Sequence, residues 1–173
     1  MLFNNGAYAQ PGAVEDLTRD TLRKQFETNL FGWHELTTLV VPVMRKQGSG
    51  RIIQNSSILG FIALKHRGAY VASKFALEGL TDTLRLELEG TGIHVVLIEP
   101  GPILTKMRPN SLKVFEKNIN VEASVHRPHY EKTLARLRKQ GAAQPFTLPA
   151  SAVTKRVIHA IESPVPQIRY PVT

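Results

Sequence analysis

Apolar side chains recur at spacings of three and four from Leu22 through Phe26, Leu30, Trp33 and Leu36 to Val40, which predicts a long amphipathic helix over 20–47. Pro42 falls in its last turns, where a ring without an N–H bends a helix. Gly48-Ser49-Gly50 stops it. A second helix is predicted over 68–88, with Phe75, Leu77, Leu80, Leu84 and Leu88 apolar and Gly90-Thr91-Gly92 as its stop. Between and after these lie short runs of another kind. Residues 51–56, centred on Ile52-Ile53, and 93–98, almost continuously apolar, have the character of strands covered on both faces. Residues 1–5 match the end of a strand, Glu99-Pro100-Gly101-Pro102 a turn, 150–162 a last helix and 167–172 a last strand. Residues 103–148 carry no clear period and are expected to be irregular, with short helices. Strands alternating with helices at this spacing predict a doubly wound, parallel α/β sheet in one domain.

Composition narrows the function classes. The 173 residues are 42% hydrophobic and 21% charged, the balance of a folded globular chain. There is no Cys, which excludes disulfides, thiolate metal sites and a cysteine nucleophile. No apolar run approaches the length of a membrane span, and the first residues lack the pattern of a signal peptide, so a cytoplasmic location is expected. The net charge of +8 is uneven: residues 106–140 hold nine Lys/Arg against three Asp/Glu. The plain reading of that stretch is a solvated segment. Its functional readings are a lid or a contact with a membrane surface. With only Phe115 and Tyr130 as aromatics it resembles no nucleic-acid module, and no nucleic-acid partner is expected. His126 and His129 flank Arg127-Pro128 without a third ligand at a suitable spacing, so no metal site is expected.

Four features carry candidate chemistry. Tyr70 and Lys74 stand four apart and share one helix face. A phenol is a weak acid, and an ammonium a few ångströms away favours its phenolate, which suits proton transfer. Ser57 follows the strand over 51–56, at the sheet edge where open α/β folds bind ligands, and can hold a carbonyl oxygen. Ser56, its neighbour in an extended run, points the other way. Pro100-Gly101 ends the next strand at the same edge, where glycine lets a ligand approach the backbone, and Thr105 follows with a hydroxyl. Asn29 lies mid-helix, a poor position for its type unless it disturbs the ladder and binds water. Each feature alone also has a bland reading as a solvated pair, a cap, a turn or an exposed polar residue.

Together, in order and spacing, Leu2-Phe3-Asn4-Asn5-Gly6-Ala7, Asn29, Gly50-Arg51-Ile52-Ile53-Gln54-Asn55-Ser56-Ser57, Tyr70-Val71-Ala72-Ser73-Lys74 and Pro100-Gly101-Pro102-Ile103-Leu104-Thr105 resemble the short-chain dehydrogenase/reductase family. Residues 99–105 and the ending Arg169-Tyr170-Pro171-Val172 resemble its hydroxysteroid- and retinol-dehydrogenase-like branch. The resemblance implies reversible NAD- or NADP-dependent conversion of a ketone or aldehyde to an alcohol, NADP being slightly favoured. It implies Tyr70 as general acid/base and Ser57 as the group that positions the carbonyl. Lys74 would lower the Tyr70 pKa and grip the nicotinamide ribose, and Asn29 would anchor a water. Asn5 and Gly6 would meet the adenosine side of the cofactor, and Pro100, Gly101, Ile103 and Thr105 the nicotinamide side. It also implies a homodimer or homotetramer built on the helices around 21–47 and 69–89.

Two departures accompany it. The family's Asn-Asn-Ala-Gly stands here as Asn4-Asn5-Gly6-Ala7, and its Thr-Gly-x-x-x-Gly-x-Gly phosphate loop does not occur. The chain thus resembles strands four to seven of a seven-stranded domain, an N-terminally incomplete Rossmann-like unit spanning 1–173. Residues 106–148 would be the substrate lid, whose interspersed apolar side chains suit an apolar substrate or one presented at a membrane surface. The alternative is a non-catalytic interaction protein that keeps half the family fold.

Overall fold

The structure, a computed structural model, describes residues 1–142 and 144–173. Strands β1 (Leu2–Asn4), β2 (Gly50–Asn55), β3 (Ile93–Pro100) and β6 (Arg169–Val172) pair in the order β1-β2-β3-β6, all parallel. Helices α1 (Arg19–Phe26), α2 (Gly32–Gln47) and α3 (Gly68–Glu87) precede β3, and α4 (Met107–Asn118), α5 (Arg127–Arg138) and α6 (Ala150–Glu162) follow it. A parallel pair, β4 (Ile103–Leu104) with β5 (Leu148–Pro149), closes the base of the α4–α5 excursion.

Successive residues of each strand serve opposite faces. Ile53, Val96 and Ile98 pack with Ala160 and Tyr170, so α6 covers one face. Ile52 and Val95 pack with Met44 and Leu88, so α2 and α3 cover the other. This two-sided burial explains the continuously apolar strands, and it makes the fold the predicted doubly wound α/β sheet. At roughly 1.5–3 kcal/mol for each fully buried aliphatic side chain, these two clusters hold the sheet in register. Two glycines set the tight links between α2, β2 and β3. Gly50 has the Met44 side chain where a Cβ would stand, and Gly92, at φ +75°, has the Gly48 carbonyl there.

The structure corrects three expectations. The helix over 20–47 is not continuous: Glu27–Phe31 form a π turn between α1 and α2, and Asn29 lies inside it. The strand ending at 98 continues through Glu99 and Pro100, which leaves only Gly101-Pro102 as turn. The described residues between 103 and 148 are more regular than expected: they hold two twelve-residue helices and a small sheet. Their weak period has a physical cause. Helices α4 and α5 bury only Ser111, Phe115, Tyr130 and Leu137, so charged residues dominate the pattern. Several apolar residues of the predicted helices face outward instead, including Leu36 (49% exposed), Leu80 (46%) and Phe75 (45%).

Candidate active site

The parallel strands all end at one edge, and the residues singled out above collect there. Asn5 and Gly6 follow β1, Asn55, Ser56 and Ser57 end or follow β2, and Pro100 and Gly101 end β3. Neither Gly6 nor Ala7 has a positive φ, and a Cβ at Gly6 would meet nothing within 4 Å. The inverted Gly-Ala order therefore costs this turn nothing.

Tyr70, Ser57 and Lys74 converge beneath this edge. Tyr70 is buried in the first turn of α3, against Ala9, Leu59 and Met107. Ser57 caps a short 3-10 turn: its Oγ accepts from Leu59 N at 3.1 Å and donates to Pro100 O at 3.3 Å. Ser56 Oγ lies instead beside Gly60 and Glu78, buried and without a hydrogen-bond partner. Lys74 is 1% exposed. Its Nζ donates to Asn55 O at 2.7 Å and stands 4.5 Å above the centroid of the Trp33 ring, a cation–π contact. Trp33 is itself fixed by its Nε1 donating to Gly6 O at 2.9 Å. Helix α2 thus supplies the floor on which the lysine rests.

Burial dominates the electrostatics. It pushes the Tyr70 phenol above its usual range, against the pull of the Ser57 hydroxyl and the Arg67 guanidinium. Burial also brings Lys74 down to about 7, with the Glu78 carboxylate opposing it. The sequence assigns Lys74 the task of favouring the Tyr70 phenolate. Lys74 Nζ stands 5.7 Å from the centroid of the Tyr70 ring, and a second cation, Arg67, the residue before α3 and three positions ahead of Tyr70, also favours the phenolate. Sequence reasoning missed it because an arginine before a helix is unremarkable until the neighbouring phenol is known to be buried.

Asn29 is fully buried, and its amide is committed to protein partners. Oδ1 accepts from Tyr8 N at 3.2 Å, while Nδ2 donates to Tyr8 O at 2.9 Å and meets Ser73 Oγ at 3.4 Å. The π turn points this side chain between the segment after β1 and helix α3, beside the Tyr70–Lys74 face. A mid-helix Asn was the sequence signal for that distortion.

The remaining expected positions lie on the other side of the edge. Ile103 is in β4, paired with Leu148. Thr105 is exposed, and its Oγ1 accepts from Met107 N at 3.2 Å, a turn just ahead of α4. The α4–α5 hairpin is held over the segment after β1 by Tyr130, whose hydroxyl donates to Asp16 and accepts from Ala13 N at 2.8 Å. His66, at φ +60°, brings a third ring to His126 and His129, with centroids 5.6–6.2 Å apart. Among the described residues no group of three or more His, Asp or Glu is arranged to hold a metal ion, and no helix is long and apolar enough to cross a membrane.

On the far side of α3, Arg169 joins three carboxylates: Glu99 at 3.0 Å, Glu78 at 3.2 Å and Asp82 at 2.7 Å. The approach to Glu99 lacks hydrogen-bond angles, and Glu99 Oε1 has no hydrogen-bond partner. These residues lie up to 91 positions apart, beyond the reach of any spacing rule.

The sequence profile of the family described as short chain dehydrogenase matches residues 1–114. The uncharacterized oxidoreductase YbbO of Escherichia coli is 41% identical over 172 residues, which cover 99% of this chain and 58% of that protein. A crystal structure of a short-chain dehydrogenase from Streptomyces avermitilis superposes with a TM-score of 0.75 at 28% identity, over 99% of this chain and 60% of the other. A 4-hydroxyisoleucine dehydrogenase solved with NADH shares the fold, with a TM-score of 0.73 at 21% identity over 99% of this chain and 66% of that one. The chain thus spans about three fifths of the length of these relatives. With the motif order, the sheet edge and the profile in agreement, this chain belongs to the short-chain dehydrogenase family of oxidoreductases.

Proposed function

We propose that the protein interconverts a ketone or aldehyde and an alcohol with NAD or NADP, and that Tyr70 moves the proton. The observation that carries this reading is the meeting of Ser57, Tyr70 and Lys74 at the carboxyl edge of β2 and β3. A bound nicotinamide supplies hydride chemistry that no side chain here can provide. The residues at the edge suit such a group. Asn55 Oδ1 is buried without a partner, and the Lys74 ammonium has three donors but one hydrogen-bond acceptor. Ribose hydroxyls would satisfy both. Pro100, Gly101, Ile103 and Thr105 would border the nicotinamide, and Asn5 and Gly6 the adenosine side. The glycine-rich loop that would seat the pyrophosphate does not occur in these 173 residues. The activity is therefore assigned to the whole protein in which that seat is complete.

In the reducing direction the Tyr70 hydroxyl gives its proton to the oxygen that becomes the alcohol. Ser57 Oγ turns from Pro100 O to donate to the same oxygen. The phenolate left on Tyr70 is favoured by Arg67 and by protonated Lys74. Asn29 acts as a positioning residue: it ties Tyr8 and Ser73 together beside that pair. Helices α4 and α5, with residues 106–148 as a whole, form the lid over the substrate, and their apolar lining favours an apolar chain. Phe31, Leu36, Leu39, Val43 and Leu80 leave an apolar face on α2, α3 and the π turn, which suits a second copy of the protein.

The test is a panel of aldehydes and ketones of increasing chain length, offered with NADH and NADPH to the intact protein. Carbonyl-dependent loss of the reduced nucleotide supports the reading. Nucleotide binding without turnover of any carbonyl favours the non-catalytic interaction protein.

A further inference from the structure

Three arginines around helices α3, α4 and α5 pair with no carboxylate among the described residues. Arg67 precedes α3, Arg108 lies in the first turn of α4, and Arg136 in the last turn of α5. The packing brings them together. His66 Nδ1, next in the chain to Arg67, meets Thr133 Oγ1 at 3.4 Å, and Arg136, three residues further along α5, shares the helix face of Thr133. Arg108 donates through one nitrogen to the Gly141 carbonyl, just beyond α5. Its other terminal nitrogen, Nη1, is buried with no partner among the described residues. Arg67 and Arg108 are close enough that both, after burial itself, bring Arg136 down to about 10.

The contrast with the other lid arginines is what needs explaining. Arg127 and Arg138 are exposed and paired, with Glu122 at 2.8 Å and Glu116 at 3.1 Å. Arg67, Arg108 and Arg136 are half-buried, and none makes an ion pair among the described residues. A solvated basic face places its charges in water and next to acids. This one gathers three guanidiniums partly shielded from water without an acid among the described residues, which disfavours the empty site and favours an anion that fills it.

We propose that Arg67, Arg108 and Arg136 seat an anionic group, a carboxylate or phosphate, borne by the substrate at a distance from the carbonyl that Tyr70 serves. Guanidinium forks match both groups in two-point geometry. The proposal rests on the carbonyl–alcohol reading above and adds that the substrate is amphipathic, apolar along the lid and charged at one end. It also gives part of the basic charge of 106–140 a ligand-binding task in place of a membrane-surface one.

The experiment has two arms on the intact protein. Calorimetry compares octanoate with methyl octanoate, and octyl phosphate with methyl octyl ether, none of which offers a ketone, an aldehyde or a hydroxyl to react. Turnover compares an ω-oxo acid with its methyl ester. Binding of one anion roughly tenfold to hundredfold tighter than its neutral partner is expected, and Arg108→Gln and Arg136→Gln should each remove most of that ratio. Which anion is preferred tells carboxylate from phosphate. Arg136→Gln without ligand should unfold at the same temperature as the parent or higher, whereas a merely structural arginine would lower it. Equal binding of charged and neutral partners overturns the proposal. So does a preference that both variants retain, or anionic vesicles as the only ligand lost on substitution. If neither oxo compound turns over while the calorimetric ratio persists, the anion seat stands and the reaction assignment fails.

Discussion

Lys74 offers a stability experiment whose size follows from its surroundings. Its ammonium is 1% exposed, and burial lowers it from the ordinary 10.5 to about 7. The unfolded chain therefore binds a proton that the folded chain releases between about pH 7 and pH 10.5, and stability rises with pH across that window. The contribution is lost as pH falls through the folded value. Below it the protein carries the whole cost of a buried ammonium, about 5 kcal/mol for a shift of about 3.5 units at 1.36 kcal/mol each. Lys74→Met removes the titration and keeps most of the volume. Urea unfolding of parent and variant at about pH 6 and about pH 9 should show the parent gaining on the variant by about 2.5 kcal/mol over that interval. Charges elsewhere titrate in both proteins and cancel in the difference. A difference between the two that stays constant within about 0.5 kcal/mol would refute the reasoning, since it would mean an ordinary lysine and a polar surrounding for its Nζ.

Three further outcomes are expected. Arg169→Met leaves the buried Glu99 facing Glu78 without its guanidinium and should cost about 3–5 kcal/mol by denaturant unfolding. Burial and Glu78 already push Glu99 up, so the loss should be smaller at acid pH, where Glu99 takes a proton, and larger as pH rises. Tyr130→Phe strips partners from Asp16 and from Ala13 N. It should cost about 1–3 kcal/mol, speed amide exchange in 107–138, and raise KM more than it lowers kcat. Asn29→Ala unpairs Tyr8 N and removes one of the two donors to Tyr8 O, which keeps Gln25 Nε2 at 2.9 Å; it should cost about 1–3 kcal/mol, a loss read by thermal unfolding that Asn29→Asp, which keeps the Oδ1 acceptor, recovers in part.

The parts of this molecule that were legible in its sequence are those governed by local rules. Ile52-Ile53 and the run from Ile93 to Ile98 announce strands buried on both faces, and the Tyr70–Lys74 spacing fixes a shared helix face wherever that helix sits. The convergence of Ser57 with Pro100 followed from the rule that parallel strands end at one edge. The α4–α5 hairpin was illegible for a physical reason. Its helices bury little more than Phe115, Tyr130 and Leu137, and their stability comes from Tyr130 reaching back to Asp16 and Ala13, contacts across more than a hundred residues. The π turn at Asn29 was half legible: the residue type flagged a disturbance, but its form depends on the Tyr8 peptide, which only folding brings near. Arg67 and the Arg169 network carry no spacing signal, because their importance arises from burial, which a linear pattern does not record.

The central claim is that Tyr70 is the group that moves the proton. It is tested most directly by Tyr70→Phe in the intact protein, compared with the parent for turnover of a carbonyl substrate and for nucleotide binding. The account predicts a fall in kcat of about 10²–10⁴ with nucleotide affinity and folding unchanged, as loss of an acid/base group entails. Turnover by the phenylalanine variant within a few-fold of the parent would contradict it and assign the proton to another group.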